Sequence, residues 1–318
     1  MKSKIKVTFK PINELATSLI VFSDKTLLRN SEMGIEWANE IKKQLKPDLL
    51  KQMQNKSFKK SLSDILELMV VFSDQQFDTF EDFCTWLNKM SIGDLAEHAS
   101  LTPVLLQDLL PKLENLSAIN KIIKEWERSY FNAFDPDTIK MLTEEARDKQ
   151  NLARNMHPQD LIEMLTGGVR LENKKEKTMV FLVPQYHGRP FNMYTMKKDL
   201  FIVHYPVDIK PIPGEPSPKL VRLTSALCDG NRLKIMRHLA RGESTFMEVV
   251  SFLGISKSTV HYHMAALRAA GLIRVHISEN DSISYSLRLN TLNEASEVIK
   301  DFIMSPDNEK AKAKIKDV

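Results

Sequence analysis

The sequence predicts an α+β chain, mainly α. A helical N-terminal domain with a small antiparallel sheet is joined to a smaller C-terminal domain of short helices closed by a hairpin. Three observations predict this. Pro211, Pro213, Pro216 and Pro218 crowd one stretch, where each fixes φ and removes a backbone donor. Upstream of it, apolar residues recur at helical spacing. Downstream, helical stripes give way to two strictly alternating runs separated by Glu279-Asn280-Asp281-Ser282.

The proline stretch sets the domain order: residues 1–208, a semi-stiff linker at 209–218, a second domain at 219–304, and a lysine-spaced tail at 305–318 expected to be disordered. In the first domain an amphipathic strand at 5–9 opens the chain. Helices follow, with stripes at Leu62, Ile65, Leu66 and Met69, at Phe80, Phe83 and Leu87, and at Ile119, Ile122, Ile123 and Trp126. Asp135-Pro136 and His157-Pro158 read as helix starts, and Gly167-Gly168 as a helix stop. Three β-branched and aromatic runs, 178–183, 191–196 and 200–207, make the expected sheet, with Lys197-Lys198-Asp199 between the last two.

Composition narrows the function. No apolar run reaches the roughly 20 residues that span a bilayer, and residues 1–10 lack the apolar core of a secretory leader. Two distant cysteines, Cys84 and Cys228, fit a reducing compartment, so the expected location is cytoplasmic, away from membranes. Residues 1–218 hold 30 Lys/Arg and 30 Asp/Glu, whereas residues 219–304 hold 11 and 8, a net +3. A neutral part joined to a basic one fits a sensor joined to a polyanion-binding module, although many domains with this excess never meet nucleic acid.

The order of elements after the linker is more specific. A short helix spans 220–227. Asp229 caps a second, with Leu233, Ile235, Met236 and Leu239 as its stripe, and Gly242 ends it. Ser244 caps a third, with Phe246, Val249, Val250 and Leu253 inward. Gly254-Ile255-Ser256 makes a tight turn, and Ser256 caps a fourth helix over 257–270. There Val260, Met264 and Leu267 face the core, leaving Lys257, Ser258, His261, Tyr262, Ala265 and Arg268 opposite. No acid occurs from Ser256 to Ile277. A solvated face normally mixes both charges, whereas one that approaches phosphates and base edges excludes carboxylates. In the hairpin, Ile273, Val275 and Ile277 alternate with Arg274 and His276, and Ile283, Tyr285, Leu287 and Leu289 with Ser284, Ser286 and Arg288. This is a winged helix-turn-helix. A last helix, 292–304, carries Ala295, Val298, Ile299 and Phe302 on one side, a candidate dimer surface.

These residues also carry a resemblance. The run from Ile255 through Ser-Lys-Ser-Thr-Val-His-Tyr-His to Ala270-Gly271-Leu272-Ile273 resembles the recognition helix and turn of ArsR-type winged-helix repressors, and Asp229-Gly-Asn-Arg-Leu-Lys-Ile-Met resembles their earlier helix. The likeness covers about 85 residues. By position it implies that Lys257, Ser258, His261 and Tyr262 approach bases, while Ser256 presents a helix N-terminus to phosphate. Thr259, His263, Arg268 and Arg274 would be phosphate or scaffold contacts, and Arg288 a wing donor. His261 departs from the small residue usual at its position, so base preference does not transfer. Residues 1–210 resemble, less specifically, the uncharacterised N-terminal domain of some bacterial regulators, through the opening strand, Trp37 and His157-Pro-Gln-Asp-Leu.

Other features favour plain readings. The family's thiolate metal site needs a cysteine pair on the third helix, which here reads Phe246-Met-Glu-Val-Val. His261 and His263 diverge by about 200° around a helix and cannot share an ion. His157, His187 and His204 lack partners at metal spacing, Asp74, Asp78, Glu81 and Asp82 read as a solvated face, and Tyr186-His-Gly-Arg189 as a loop. Nineteen of the 24 aromatic residues precede the linker, which fits either a large core or an apolar effector pocket.

The expectation is a dimeric regulator that binds double-stranded DNA, has no cofactor, metal or catalytic residue, and uses its first domain to dimerise, to sense a small-molecule or peptide effector, or both. A protein-docking winged helix, or an enzyme in residues 1–208 tethered to DNA, remain the alternatives.

Overall fold

A computed structural model describes residues 4–77, 79–99, 116–172, 178–197, 200–278 and 282–304. Asp78, Lys198 and Asp199, the turn residues 279–281, and the tail 305–318 lie outside the described residues. The chain divides into two compact units, Met1–Pro158 with Lys175–Val207, and Gln159–Lys174 with Asp208–Val318.

In the first unit a strand, β1 (Lys4–Val7), leads into α1 (Pro11–Ser23). Pro11 starts this helix, and the Asn13 side chain accepts from the Lys10 backbone N–H at 2.7 Å. Helix α1 is buried nearly all round, as expected of a helix at the centre of a core. Short helices α2 (Lys25–Asn30), α3 (Gly34–Lys42) and α4 (Pro47–Met53) follow, then α5 (Lys56–Val71), whose predicted stripe of Leu62, Ile65, Leu66 and Met69 lies inside. Next come α6 (Phe80–Lys89) and α7 (Ile92–Ala99). The acidic run serves locally: Thr79 and Asp82 form a capping box, Asp74 pairs with Lys6, and Glu81 with Lys124. Helix α8 (Leu116–Ser129) buries Ile119, Ile122, Ile123 and Trp126, and the Trp126 indole donates to Ser18 Oγ at 2.9 Å. Asp135 caps α9 (Pro136–Leu152).

The sheet of this unit runs β1-β3-β5-β4, with β3 at Met179–Gln185, β4 at Met193–Lys197 and β5 at Leu200–Pro206. The predicted antiparallel sheet is corrected. Strands β1, β3 and β5 are mutually parallel, and only β4 is antiparallel, to β5. The reason is burial on both faces. Phe181, Val183, Leu200 and Ile202 join the helical core, while Val180, Leu182, Phe201 and Val203 are equally enclosed on the other side. Their apolar runs are near continuous, the mark of parallel central strands. The opening strand joins the sheet beside β3, as expected.

The second unit holds a segment assigned from sequence to the first domain. Helix α10 (Pro158–Thr166) and β2 (Val169–Leu171) precede the prolines by some forty residues, yet residues 159–174 cluster with 208–318. Strand β2 pairs parallel to β7 (Ile273–Ile277), Val169 opposite Val275, and the sheet order is β2-β7-β8-β6, with β8 at Ile283–Leu287 and β6 at Ser244–Thr245. Both sheets are therefore mixed. At the turn into β2, Gly168 has φ of +133°, and a Cβ there would stand 2.7 Å from the Ile273 carbonyl oxygen. Only a residue without a side chain lets the two backbones come so close. Among the described residues no helix is long and apolar enough to cross a membrane.

Candidate nucleic-acid interface

The helices of the second unit start and stop where local chemistry directs. Ser217 caps α11 (Pro218–Leu227), and Asp229 caps α12 (Gly230–Leu239) by accepting from the N–H groups of Asn231 and Arg232. Ile235, Met236 and Leu239 are buried, but Leu233 is 49% exposed. Residues two apart lie on opposite sides of a helix, so Leu233 and Ile235 cannot share a stripe. The cap of α13 (Phe246–Leu253) is Thr245, not Ser244, because Thr245 forms a capping box with Glu248. Of the predicted inward residues of α13, Val249 is buried and Phe246, Val250 and Leu253 are half-buried. Gly254 turns the chain at φ of +66°, and Ser256 caps α14 (Lys257–Ala269) by accepting from the Thr259 N–H at 3.2 Å.

Helix α14 separates its residues sharply. Val260, His263, Met264 and Leu267 are buried. Ser256, Lys257, Ser258, Thr259, His261 and Tyr262 are exposed, Tyr262 by 64%, and Arg268 is half-buried further along. No carboxylate is paired with Lys257 among the described residues. The first turn bears a hydroxyl cluster, with Ser256 Oγ 2.9 Å from Ser258 Oγ and 2.8 Å from Thr259 Oγ1. Arg232 donates to the Ser225 carbonyl at 2.8 Å and lies 5.6 Å from the Tyr262 ring centroid. Its cation backs the aromatic face from within the fold. His263 lies on the core side, with Nδ1 3.6 Å from Asp229 Oδ1, so it belongs to the scaffold. Backbone hydrogen bonds, mainly from Arg232, hold the Asp229 carboxyl below its ordinary value despite some desolvation, and His263 adds to the effect.

The wing differs. Ile273, Val275 and Ile277 are buried as expected, and so is Tyr285, but Leu289 is exposed. Arg274, expected as a phosphate or scaffold contact, and Arg288, expected as a wing donor, are both committed to one carboxylate. Arg274 Nε lies 2.7 Å and Arg288 Nε 3.2 Å from Glu163 Oε1, while Arg170 Nη1 reaches Glu163 Oε2 at 2.7 Å. Burial alone would raise the Glu163 carboxyl. Hydrogen bonds and charge from Arg274 and Arg170 outweigh it and hold that carboxyl below its ordinary value. His276 is similarly occupied, with Nδ1 2.8 Å from Glu172 Oε1 and Nε2 2.7 Å from Ser286 Oγ. Local sequence shows none of the wing contacts, since Glu163 and Glu172 stand more than a hundred residues before Arg274, Arg288 and His276. Their one sequence signal is Glu163 near the end of a short helix followed by Gly167-Gly168 and the strand-like Val169-Arg-Leu.

The last helix, α15 (Leu289–Met304), starts three residues earlier than predicted. It buries Thr291 and Ala295, half-buries Val298 and Ile299, and leaves Ile303 and Met304 exposed by 68% and 79%. Among the described residues, no three His, Cys, Asp or Glu side chains gather as a metal site requires.

Three helices, a tight turn, an exposed acid-free helix face and a β-hairpin wing define a winged helix-turn-helix. Residues 229–275 match the family model described as bacterial regulatory protein, arsR family, so this part of the chain is an ArsR-type helix-turn-helix, the module of a DNA-binding regulator. No curated protein and no solved structure matches the chain.

Proposed function

We propose that the chain regulates transcription by reading duplex DNA through the N-terminal half of α14, as a homodimer on a palindromic site with half-sites about one helical turn apart. The observation that carries this reading is the exposed face of Lys257, Ser258, His261 and Tyr262, free of carboxylates and stiffened by Ser256 at its cap and Arg232 beneath Tyr262. Lys257 sits at the first turn, where the backbone N–H groups and helix dipole also favour phosphate. The apolar end of α15 is the surface assigned to dimerisation. The reading involves no metal and no catalysis: the second unit acts by binding, and the first responds to an effector.

Selection from random duplexes followed by footprinting tests it. Lys257→Ala and His261→Ala each weaken binding to the selected site by about tenfold, equivalent to roughly 1–3 kcal/mol per base contact. Unchanged affinity in both variants would remove α14 from the interface. Sedimentation of a Phe302→Asp, Ile303→Asp double variant as a dimer would remove α15 from the dimer contact.

A further inference from the structure

Three large apolar side chains of the first unit, Ile20 on α1, Leu27 on α2 and Met193 on β4, are left half-buried, and all three face one groove. The groove holds two adjoining cavities. One, of about 300 Å³, lies among α1, α2, α5, β4 and β5 and is lined further by the buried Leu66 and Ile202. The other, of about 240 Å³, shares Ile20, Leu27 and Ser63 with the first and is lined further by Lys59 and Lys60 of α5. Together they reach the size of small-ligand pockets, which span roughly 300–1,000 Å³.

The charges along the groove decide what it can take. Glu67 is engaged: Thr195 donates to Oε1 at 2.9 Å, and Lys197 Nζ stands 3.0 Å from Oε2. Asp24 is engaged as well. Its Oδ1 accepts the N–H groups of Thr26 and Leu27 at 2.8 and 3.1 Å, and its Oδ2 lies 3.8 Å from Lys59 Nζ. Lys60 has no hydrogen bond or ion pair among the described residues. His204, behind the larger cavity, adds no charge: burial pushes its imidazole down to about 4, and its Nδ1 is sealed off. Both acids are therefore matched, and one cation is not. A cationic ligand would meet two lysines and no free acid, and a neutral one would leave Lys60 unanswered. A monoanion with an apolar body suits both ends: the body covers Ile20, Leu27 and Met193, and the charge meets Lys60.

We infer that this groove binds a small amphipathic monoanion, an apolar chain or ring ending in one carboxylate, with its body on Ile20, Leu27 and Met193 and its carboxylate on Lys60. Its regulatory meaning rests on the effector role assigned to the first unit. The binding itself does not depend on the DNA-binding reading, and a test without DNA separates the two.

Octanoate is the probe and octanol its uncharged counterpart, each titrated into the full chain carrying ¹³C-labelled methionine methyl groups. Octanoate shifts the Met193 methyl resonance in a saturable way and leaves that of Met304 in place, although Met304 is 79% exposed at the apolar end of α15, where a merely detergent-like amphiphile would settle. Lys60→Gln weakens octanoate about threefold, as expected of a partly solvated ion pair, and leaves octanol unchanged. Lys60→Arg keeps the octanoate affinity. Added salt weakens octanoate alone. Lys60 is exposed, and the methyl resonances are read in the unaltered protein, so the location of the site does not rest on a variant folding. A shift at Met304 without one at Met193, an octanoate affinity untouched by Lys60→Gln, an equal loss for both probes, or no binding of octanoate at millimolar concentration overturns the inference.

Discussion

Helix α14 and the wing belong to one small unit, yet they handle positive charge in opposite ways. Helix α14 leaves Lys257 exposed with no carboxylate beside it among the described residues, and the wing turns Arg274 and Arg288 onto Glu163. Lys257 and Arg274 belong to one stretch without acids, so from composition they form one basic surface. The structure makes two of them. One presents a cation to whatever approaches. The other spends its guanidiniums on joining β7 and β8 to α10. Cationic residues in a nucleic-acid-binding domain therefore divide into those that meet a partner and those that hold the fold, and the division depends on where the nearest acid is in space.

The largest expected effect comes from removing the shared acid. In Glu163→Gln, Arg170, Arg274 and Arg288 lose their countercharge and are left as neighbours. The second unit loses about 2–4 kcal/mol in denaturant unfolding, below the full value of a buried pair because the arginines are partly solvated. The molecules that remain folded show a steeper salt dependence of DNA binding, by about one for each arginine that finds a phosphate. Arg274→Ala sharpens the contrast: it costs stability and leaves the salt slope as it was, whereas Lys257→Ala lowers the slope by about one and leaves stability intact. A lowered slope in Arg274→Ala would erase the distinction between helix and wing.

Next in size is Gly168→Ala. The added methyl carbon meets the Ile273 carbonyl oxygen at 2.7 Å on a backbone that strains any L-residue. A loss of about 1–3 kcal/mol is expected, read as faster amide exchange in β2 and β7. Exchange unchanged in those strands would show that β2 adds nothing to the wing.

The remaining contrast is a pH dependence that sets one unit against the other. In the first unit, the unfolded chain takes a proton on His204 near its ordinary value of 6.5, whereas the folded chain refuses it until about 4. Stability of that unit is thus full above about 6.5 and falls as pH drops through this window. In the second unit, Glu163 is held below its ordinary value, so its contribution is full above roughly 4.3, the unfolded carboxyl range, and lost only below it. Calorimetry between pH 7 and 4 should show the first unit weakening while the second holds.

How much of this was legible follows from how local each signal is. Asp229 as a cap, the Gly254 turn, the buried face of α14 and the inward Ile273, Val275 and Ile277 of β7 are written in neighbouring residues, and they sit where sequence puts them, whereas His276, expected outward, is buried. The Thr245-x-x-Glu248 box was also readable, and it outranks the bare Ser244 beside it. Strand pairing was not readable. Continuous runs such as Val180-Phe-Leu-Val signal burial on both faces, but only the partners fix direction. Glu163 and Glu172 were invisible as wing partners because nothing in sequence measures a contact across more than a hundred residues.

The strand β2 bears on where this protein can be divided. The prolines at 211–218 mark the obvious place to cut, and a fragment beginning there would keep every residue of the arsR match. It would also strip β7 of its outer neighbour, leaving an unpaired row of backbone donors and acceptors along a largely buried strand, with two unanswered arginines next to it. Such a fragment invites edge-to-edge association. The piece that can be transplanted intact is discontinuous, residues 159–172 together with 208–304, and any swap of sensor modules onto this DNA-binding end must carry both.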